Sequence, residues 1–141
     1  MHRTGRTLLA TLTLISATLI VGCSGSAQSP LAPTTVQNVS GAELQTLVDT
    51  RDRLVILDVR SVTEYDEGHI PDSVNIPLNE LPARMDELNP SAPTVCVCAS
   101  GHRSSQAAAI LAAGGFSTVF NLDGGLAEWD GALDTSCPVC G

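Results

Sequence analysis

Residues 94–109, Thr-Val-Cys-Val-Cys-Ala-Ser-Gly-His-Arg-Ser-Ser-Gln-Ala-Ala-Ala, constrain this chain more than any other stretch. Thr94 to Cys98 is β-branched or apolar throughout, which suits a short strand buried in a parallel sheet. Ser104, Ser105 and Gln106 then lead into Ala107 to Leu111, good helix formers stopped by Gly114 and Gly115. Between the predicted strand and helix lies a tight turn with Cys98 in its first position.

A loop that wraps onto a helix N-terminus turns several unpaired N–H groups toward one point, with about half a positive charge behind them. Cys98 is expected at the rim of that cradle, where its thiolate is favoured over its thiol. Gly101 lets the backbone make the curve, and Arg103 supplies a fixed cation. His102 stands beside them either as further positive charge at the mouth or as an exposed loop residue; both readings stay open.

Cys98-Ala99-Ser100-Gly101-His102-Arg103-Ser104 resembles the active-site loop of rhodanese-type sulfurtransferases, which carry sulfur as a cysteine persulfide. Leu57-Asp58-Val59-Arg60, Glu64-Tyr65, Gly68-His69-Ile70-Pro71, Asn75-Ile76-Pro77 and Gly124-Gly125 before Trp129 follow in that family's order. The resemblance implies a single α/β domain with a mostly parallel central sheet and helices on both faces. It makes Cys98 and Arg103 the catalytic residues, Cys98 as nucleophile and Arg103 with the loop amides stabilising the charge of the leaving group, with Ala99, Ser100, Gly101, His102 and Ser104 around the substrate. Asp58, Arg60, Glu64 and His69 would support that loop, Asp58 by hydrogen bonding and Arg60 by facing Glu64. For Asp58 and Arg60 a plain surface ion pair is the competing reading. Asp72-Ser73 replaces the family's usual Gly-Ala and puts one turn in question.

Cysteine phosphatases and arsenate reductases use a similar loop with Cys-x5-Arg, wide enough for a tetrahedral oxyanion. Here the spacing is Cys-x4-Arg, one residue shorter, which matches a single sulfur atom bonded to Cys98. The expected reaction takes sulfur from a small anionic donor such as thiosulfate and delivers it to cyanide, a thiol or a protein. A domain of another class, a relay or redox module that accepts sulfur only from a partner protein, is the alternative. No cofactor and no metal are expected.

Ahead of the domain, Arg3 and Arg6 precede Leu8 to Val21, an uncharged and mostly apolar run. At about 1.5 Å per residue it falls short of a hydrocarbon core about 30 Å thick, so it reads as a signal peptide rather than a span. Ile20-Val21-Gly22-Cys23 resembles the lipobox of bacterial lipoproteins. It implies cleavage after residue 22, acylation of Cys23 and an exported, membrane-anchored protein; an ordinary secretory signal is the alternative. Residues 23–35 then form an acylated, flexible tether rich in Ser, Pro and Ala. Without Arg3 and Arg6 the chain has five arginines against 15 acids, a formal −10, which argues against nucleic acid and repels anions at long range.

The domain is expected over 36–134. Val36 to Val39 reads as an edge strand, and Ser40 with Glu43 as a capping box for a helix reaching Asp49 on a stripe of Leu44, Leu47 and Val48. Leu54 to Val59 is the clearest central strand, and Ser61 with Glu64 is a second capping box. Further strands are expected at Ser73 to Ile76 and Ser117 to Leu122. A short helix turns Leu81, Met85 and Leu88 inward, and Gly124 and Gly125 open a last one that contains Trp129, there for packing.

Setting Cys23 aside leaves Cys96, Cys98, Cys137 and Cys140. Cys137-Pro138-Val139-Cys140, in a tail of residues 135–141, is close enough in sequence for a small disulfide in an oxidising compartment. It is alternatively a resolving dithiol that takes sulfur from Cys98. A four-cysteine metal site would consume the nucleophile and leave Arg103 unexplained.

Overall fold

The computed structural model describes residues 34–135. Five parallel strands, β1 (Val36–Val39), β2 (Val55–Asp58), β3 (Val74–Asn75), β4 (Thr94–Val97) and β5 (Val119–Leu122), form one sheet in the order β1-β5-β4-β2-β3. All four residues of β4 and all four of β5 are buried. A parallel strand covered on both faces cannot alternate polar and apolar side chains, hence the nearly continuous apolar runs.

Four α-helices connect the strands: α1 (Gly41–Thr50), α2 (Val62–Asp66), α3 (Leu81–Arg84) and α4 (His102–Ala113). A 3-10 turn, Met85–Glu87, extends α3, and a second 3-10 helix, Gly125–Glu128, follows β5. On one face, Leu57, Cys96, Cys98 and Val119 of the sheet region pack with Leu81 and with Ala107, Ala108 and Leu111 of α4. On the other, Val39, Ile56, Val95 and Phe120 pack with Leu44 of α1, and Leu126 and Trp129 close the edge of that cluster. Helices therefore cover both faces, as expected.

Both capping boxes form. Ser40 and Glu43 close the start of α1, and Ser61 and Glu64 that of α2, each through reciprocal bonds between side chain and backbone. Several local expectations need correction. β2, β3 and β5 are shorter than expected, because the ladder ends where the chain leaves for the next turn. Val48 is 41% exposed: it lies in the last turn of α1, beyond the part whose stripe reaches the sheet. Trp129 follows the second 3-10 helix instead of lying inside it; its indole N–H donates to the Ala132 carbonyl at 3.2 Å, and its ring half-covers the second core cluster.

The turn put in question by Asp72-Ser73 does form. Ser73 N–H donates to the Ile70 carbonyl at 3.1 Å, with Pro71 second in the turn and Asp72 third at φ 60°. That left-handed position favours glycine, and Asp is among the few side chains that tolerate it.

Strand order sets the location of the chemistry. From β2 the chain moves to the β3 edge, and from β4 it moves the opposite way to β5, although β2 and β4 are neighbours. Connections that diverge from adjacent strands leave a crevice at the strands' carboxyl ends, where open α/β sheets bind ligands. The segments Asp58 to Ser61 and Cys98 to Arg103 line that crevice.

Candidate active site

Cys98 is the first residue beyond β4, and α4 begins at His102. Gly101 makes the reversal at φ 84°, and a Cβ there would stand 3.0 Å from the Gly124 nitrogen, so both conformation and space call for glycine. The curve aims two backbone donors at sulfur: the N–H of Gly101 lies 3.2 Å from Cys98 Sγ and that of Ser104 3.4 Å. Ser104 Oγ approaches the same atom at 3.4 Å.

Burial works against ionisation of Cys98, but the Ser104 hydroxyl and the N–H groups of Ser104, Ser100 and Gly101 outweigh it. Its pKa lies below the ordinary thiol value. Cys96, two residues earlier, has the opposite fate: burial, and then the neighbouring charge of Cys98, push its thiol up to about 12. Both cysteines are free, and Cys96 is held neutral in the core.

The expectation of Cys98 at the rim is corrected. Cys98 is 0% exposed, whereas Ala99 and Ser100, which follow it, are exposed. A contact not foreseen from the sequence fixes the backbone of the loop: the N–H of Leu126 donates to the Cys98 carbonyl at 2.8 Å and that of Ala127 to the Ala99 carbonyl at 3.2 Å. The second 3-10 helix thus clamps the backbone of the loop. Gly125 permits the approach, since a Cβ there would lie 2.4 Å from the Cys98 oxygen and 2.6 Å from the Ser100 nitrogen. The Gly124-Gly125 doublet was the available signal.

Arg103 reaches across the crevice to α2. Its Nη1 and Nη2 donate to Glu64 Oε2 and Oε1 at 2.8 and 2.7 Å, a bidentate pair. Glu64 Oε2 also accepts from the Ser61 N–H and hydroxyl. Led by Arg103, then by the Ser61 N–H, these bonds hold the Glu64 carboxyl down to about 2. The pair with Glu64 in turn raises the Arg103 pKa.

Glu64 therefore does not face Arg60, as expected, because it is already claimed by Arg103. Arg60 folds back on Asp58, its Nε 3.0 Å from both carboxylate oxygens and its Nη2 2.7 Å from Oδ2, while Nη2 also donates to the Gly68 carbonyl. Asp58 is 1% exposed and Arg60 7%, so the pair is buried and the surface-pair reading is wrong. Breaking such a pair costs about 3–5 kcal/mol, and this one ties the end of β2 to the turn after α2.

His69 is buried away from the sulfur's hydrogen-bond shell. Its Nδ1 lies 2.9 Å from the Tyr65 carbonyl, its ring stacks on Tyr65 at 3.7 Å, and its backbone exchanges hydrogen bonds with Asp134. His102 is exposed at the first position of α4. Cys23, Cys137 and Cys140 lie outside the described residues.

A strand–loop–helix that holds one cysteine sulfur on backbone amides, at the switch point of a parallel sheet, defines a class of small α/β domains with a loop cysteine. The chain belongs to the rhodanese-like domain family, whose profile matches residues 40–132. It is 39% identical over 75 residues to the thiosulfate sulfurtransferase GlpE of Pseudomonas syringae, a match covering 53% of this chain and 71% of that one. It is 36% identical over 110 residues to YrkF of Bacillus subtilis, across 78% of this chain and 60% of YrkF. Among solved structures, a rhodanese-like domain protein from Staphylococcus aureus superimposes with a TM-score of 0.66 at 28% identity, over 72% of this chain and 99% of that one.

Proposed function

We propose that this protein is a sulfurtransferase that carries sulfur on Cys98. The observation that carries the reading is the convergence of the Gly101 and Ser104 amides on Cys98 Sγ, at 3.2 and 3.4 Å. The same donors that favour a thiolate stabilise the terminal sulfur anion of a persulfide. In the first half-reaction the Cys98 thiolate attacks the outer sulfur of thiosulfate. A bond forms between Cys98 Sγ and that sulfur, the S–S bond of thiosulfate breaks with its electron pair, and sulfite leaves. In the second, cyanide or a thiolate takes the outer sulfur and restores the Cys98 thiolate.

Arg103 is neutralised by Glu64, so its role in this reading is to fix the loop against α2, while the amides carry the developing charge. The lipobox-like Cys23 makes the sulfurtransferase an exported, lipid-anchored one. Its partners are then a small anionic donor, a thiol or protein acceptor and the membrane.

Intact-mass measurement after mixing with thiosulfate tests the reading. The expected adduct is about 32 Da, absent in Cys98→Ser and removed by cyanide. The burial of Cys98 favours one second reading, a relay that accepts sulfur only when a partner protein opens the loop. No adduct with thiosulfate, but an adduct with a persulfidated protein donor, would select it.

A further inference from the structure

The described residues hold five arginines. Arg60 is paired with Asp58, and Arg84 with Glu80 and Glu87. Arg51 caps α1 with its guanidinium 5.4 Å from the centre of the Phe120 ring. Arg53 follows it in the connection that enters β2, at the end of the sheet opposite the cysteine loop. Arg103, in the first turn of α4, is therefore the arginine of the loop itself, and Glu64 takes both of its terminal nitrogens.

Glu64 is held in that position from its other side. Its Oε2 also accepts from the Ser61 N–H at 3.1 Å and from the Ser61 hydroxyl at 2.9 Å, so releasing Arg103 by turning Glu64 away would undo the cap of α2 as well. The Arg103 and Glu64 side chains are 37% and 36% exposed, which leaves the pair at the surface of the crevice. Glu64 is first among the groups that raise the Arg103 pKa, and the charge of Cys98 is another, so guanidinium and sulfur lie within electrostatic range of each other. At such range a charge acts on an approaching reagent without touching it.

We propose that Glu64 sets the charge selectivity of the site: by closing Arg103 into a neutral pair, it steers Cys98 toward sulfur donors that carry one negative charge or none, and away from dianions such as thiosulfate. The inference rests on the sulfurtransferase reading and narrows its first half-reaction. An uncompensated guanidinium would draw anions to the loop. The closed pair presents no net charge, and the chain's excess of acids then repels a dianion more than a monoanion. Glu64 touches no reacting atom; it acts through Arg103 and is a positioning residue. The transfer step is the same for each donor. Cys98 Sγ bonds to the outer sulfur, and the donor's own bond to that sulfur breaks with its electron pair on the leaving group, sulfite from thiosulfate or methanesulfinate from methanethiosulfonate.

Two measurements on the full chain test this. First, without any sulfur donor, Cys98 is alkylated by iodoacetate, an anion, and by neutral iodoacetamide, and the rates are read from the mass of the Cys98 peptide. Glu64→Gln keeps an oxygen for Ser61 but loses the charge, and should shift the ratio of rates toward iodoacetate by about fivefold. Adding Arg103→Gln removes both charges and should return the ratio to the wild-type value. Second, persulfide loading of Cys98 is timed with thiosulfate, a dianion, and with methanethiosulfonate, a monoanion that offers the same outer sulfur. Glu64→Gln should raise the thiosulfate-to-methanethiosulfonate ratio by about fivefold as well, and Arg103→Gln should again cancel the gain.

A merely structural role for Glu64 would slow both reagents of a pair together and leave the ratios where they are. An unchanged ratio in Glu64→Gln with either pair of reagents, or a raised ratio that survives Arg103→Gln, would overturn the inference. If neither donor loads Cys98, the sulfurtransferase reading fails instead, and the alkylation ratio alone decides whether Glu64 controls the charge met at Cys98.

Discussion

Arg103 and Glu64, 39 residues apart in the chain, face each other as a two-point ion pair with N–O distances of 2.8 and 2.7 Å. The guanidinium of the cysteine loop is thereby fastened to the first turn of α2, and the loop after β4 is tied to the segment after β2. The Cys98 sulfur meets amides and a hydroxyl instead.

The pair makes an acid-sensitive strut. Glu64 is held down to about 2 from 4.5, so its folded-state pKa is depressed. Its contribution is complete above 4.5 and is lost as pH falls toward about 2. Urea midpoints measured across that window should fall more steeply for the wild type than for Glu64→Gln, which keeps the cap but not the titration. Parallel curves would show that the strut adds nothing to stability.

Gly125 is the point at which the loop is most sensitive to added bulk. A methyl group there meets the Cys98 oxygen at 2.4 Å and the Ser100 nitrogen at 2.6 Å, at a φ of 62° that disfavours side chains. Gly125→Ala should destabilise the domain by about 2–3 kcal/mol and slow alkylation of Cys98 by about tenfold or more as the amides lose their aim. Chemical denaturation and iodoacetamide kinetics read the two effects separately.

Asp72 presents the reverse case. It holds φ 60° in the turn that leads to β3, so Asp72→Gly relieves a left-handed conformation and leaves the Ser73–Ile70 hydrogen bond that closes the turn in place. Stability should rise by about 0.5–1 kcal/mol, or roughly 2–6 °C in melting temperature. An unchanged or lower melting temperature would mean that Asp72 contributes through its side chain.

How much of this was legible in the sequence follows the range of each interaction. The two capping boxes span three residues each, so Ser40 with Glu43 and Ser61 with Glu64 were readable directly. The strand–turn–helix around Cys98 was readable for the same reason: buried strand, glycine reversal and alanine-rich helix are consecutive. The partner of Arg60 was not, because Asp58 and Glu64 are both near in sequence. The choice depends on Arg103 arriving from 39 residues away to occupy Glu64. The backbone contacts that hold the loop were not legible, because the segment that makes them, Gly125 to Ala127, returns only after a helix and another strand.

The central claim is that the Gly101 and Ser104 amides, with the Ser104 hydroxyl, hold the Cys98 pKa below that of a free thiol. Thiolate absorbance near 240 nm, followed through a pH titration with Cys98→Ser as the blank, tests it directly. The wild type should show a midpoint below the free-thiol value of about 8.5, moving upward in Ser104→Ala. A Cys98 midpoint at or above about 8.5 would contradict it.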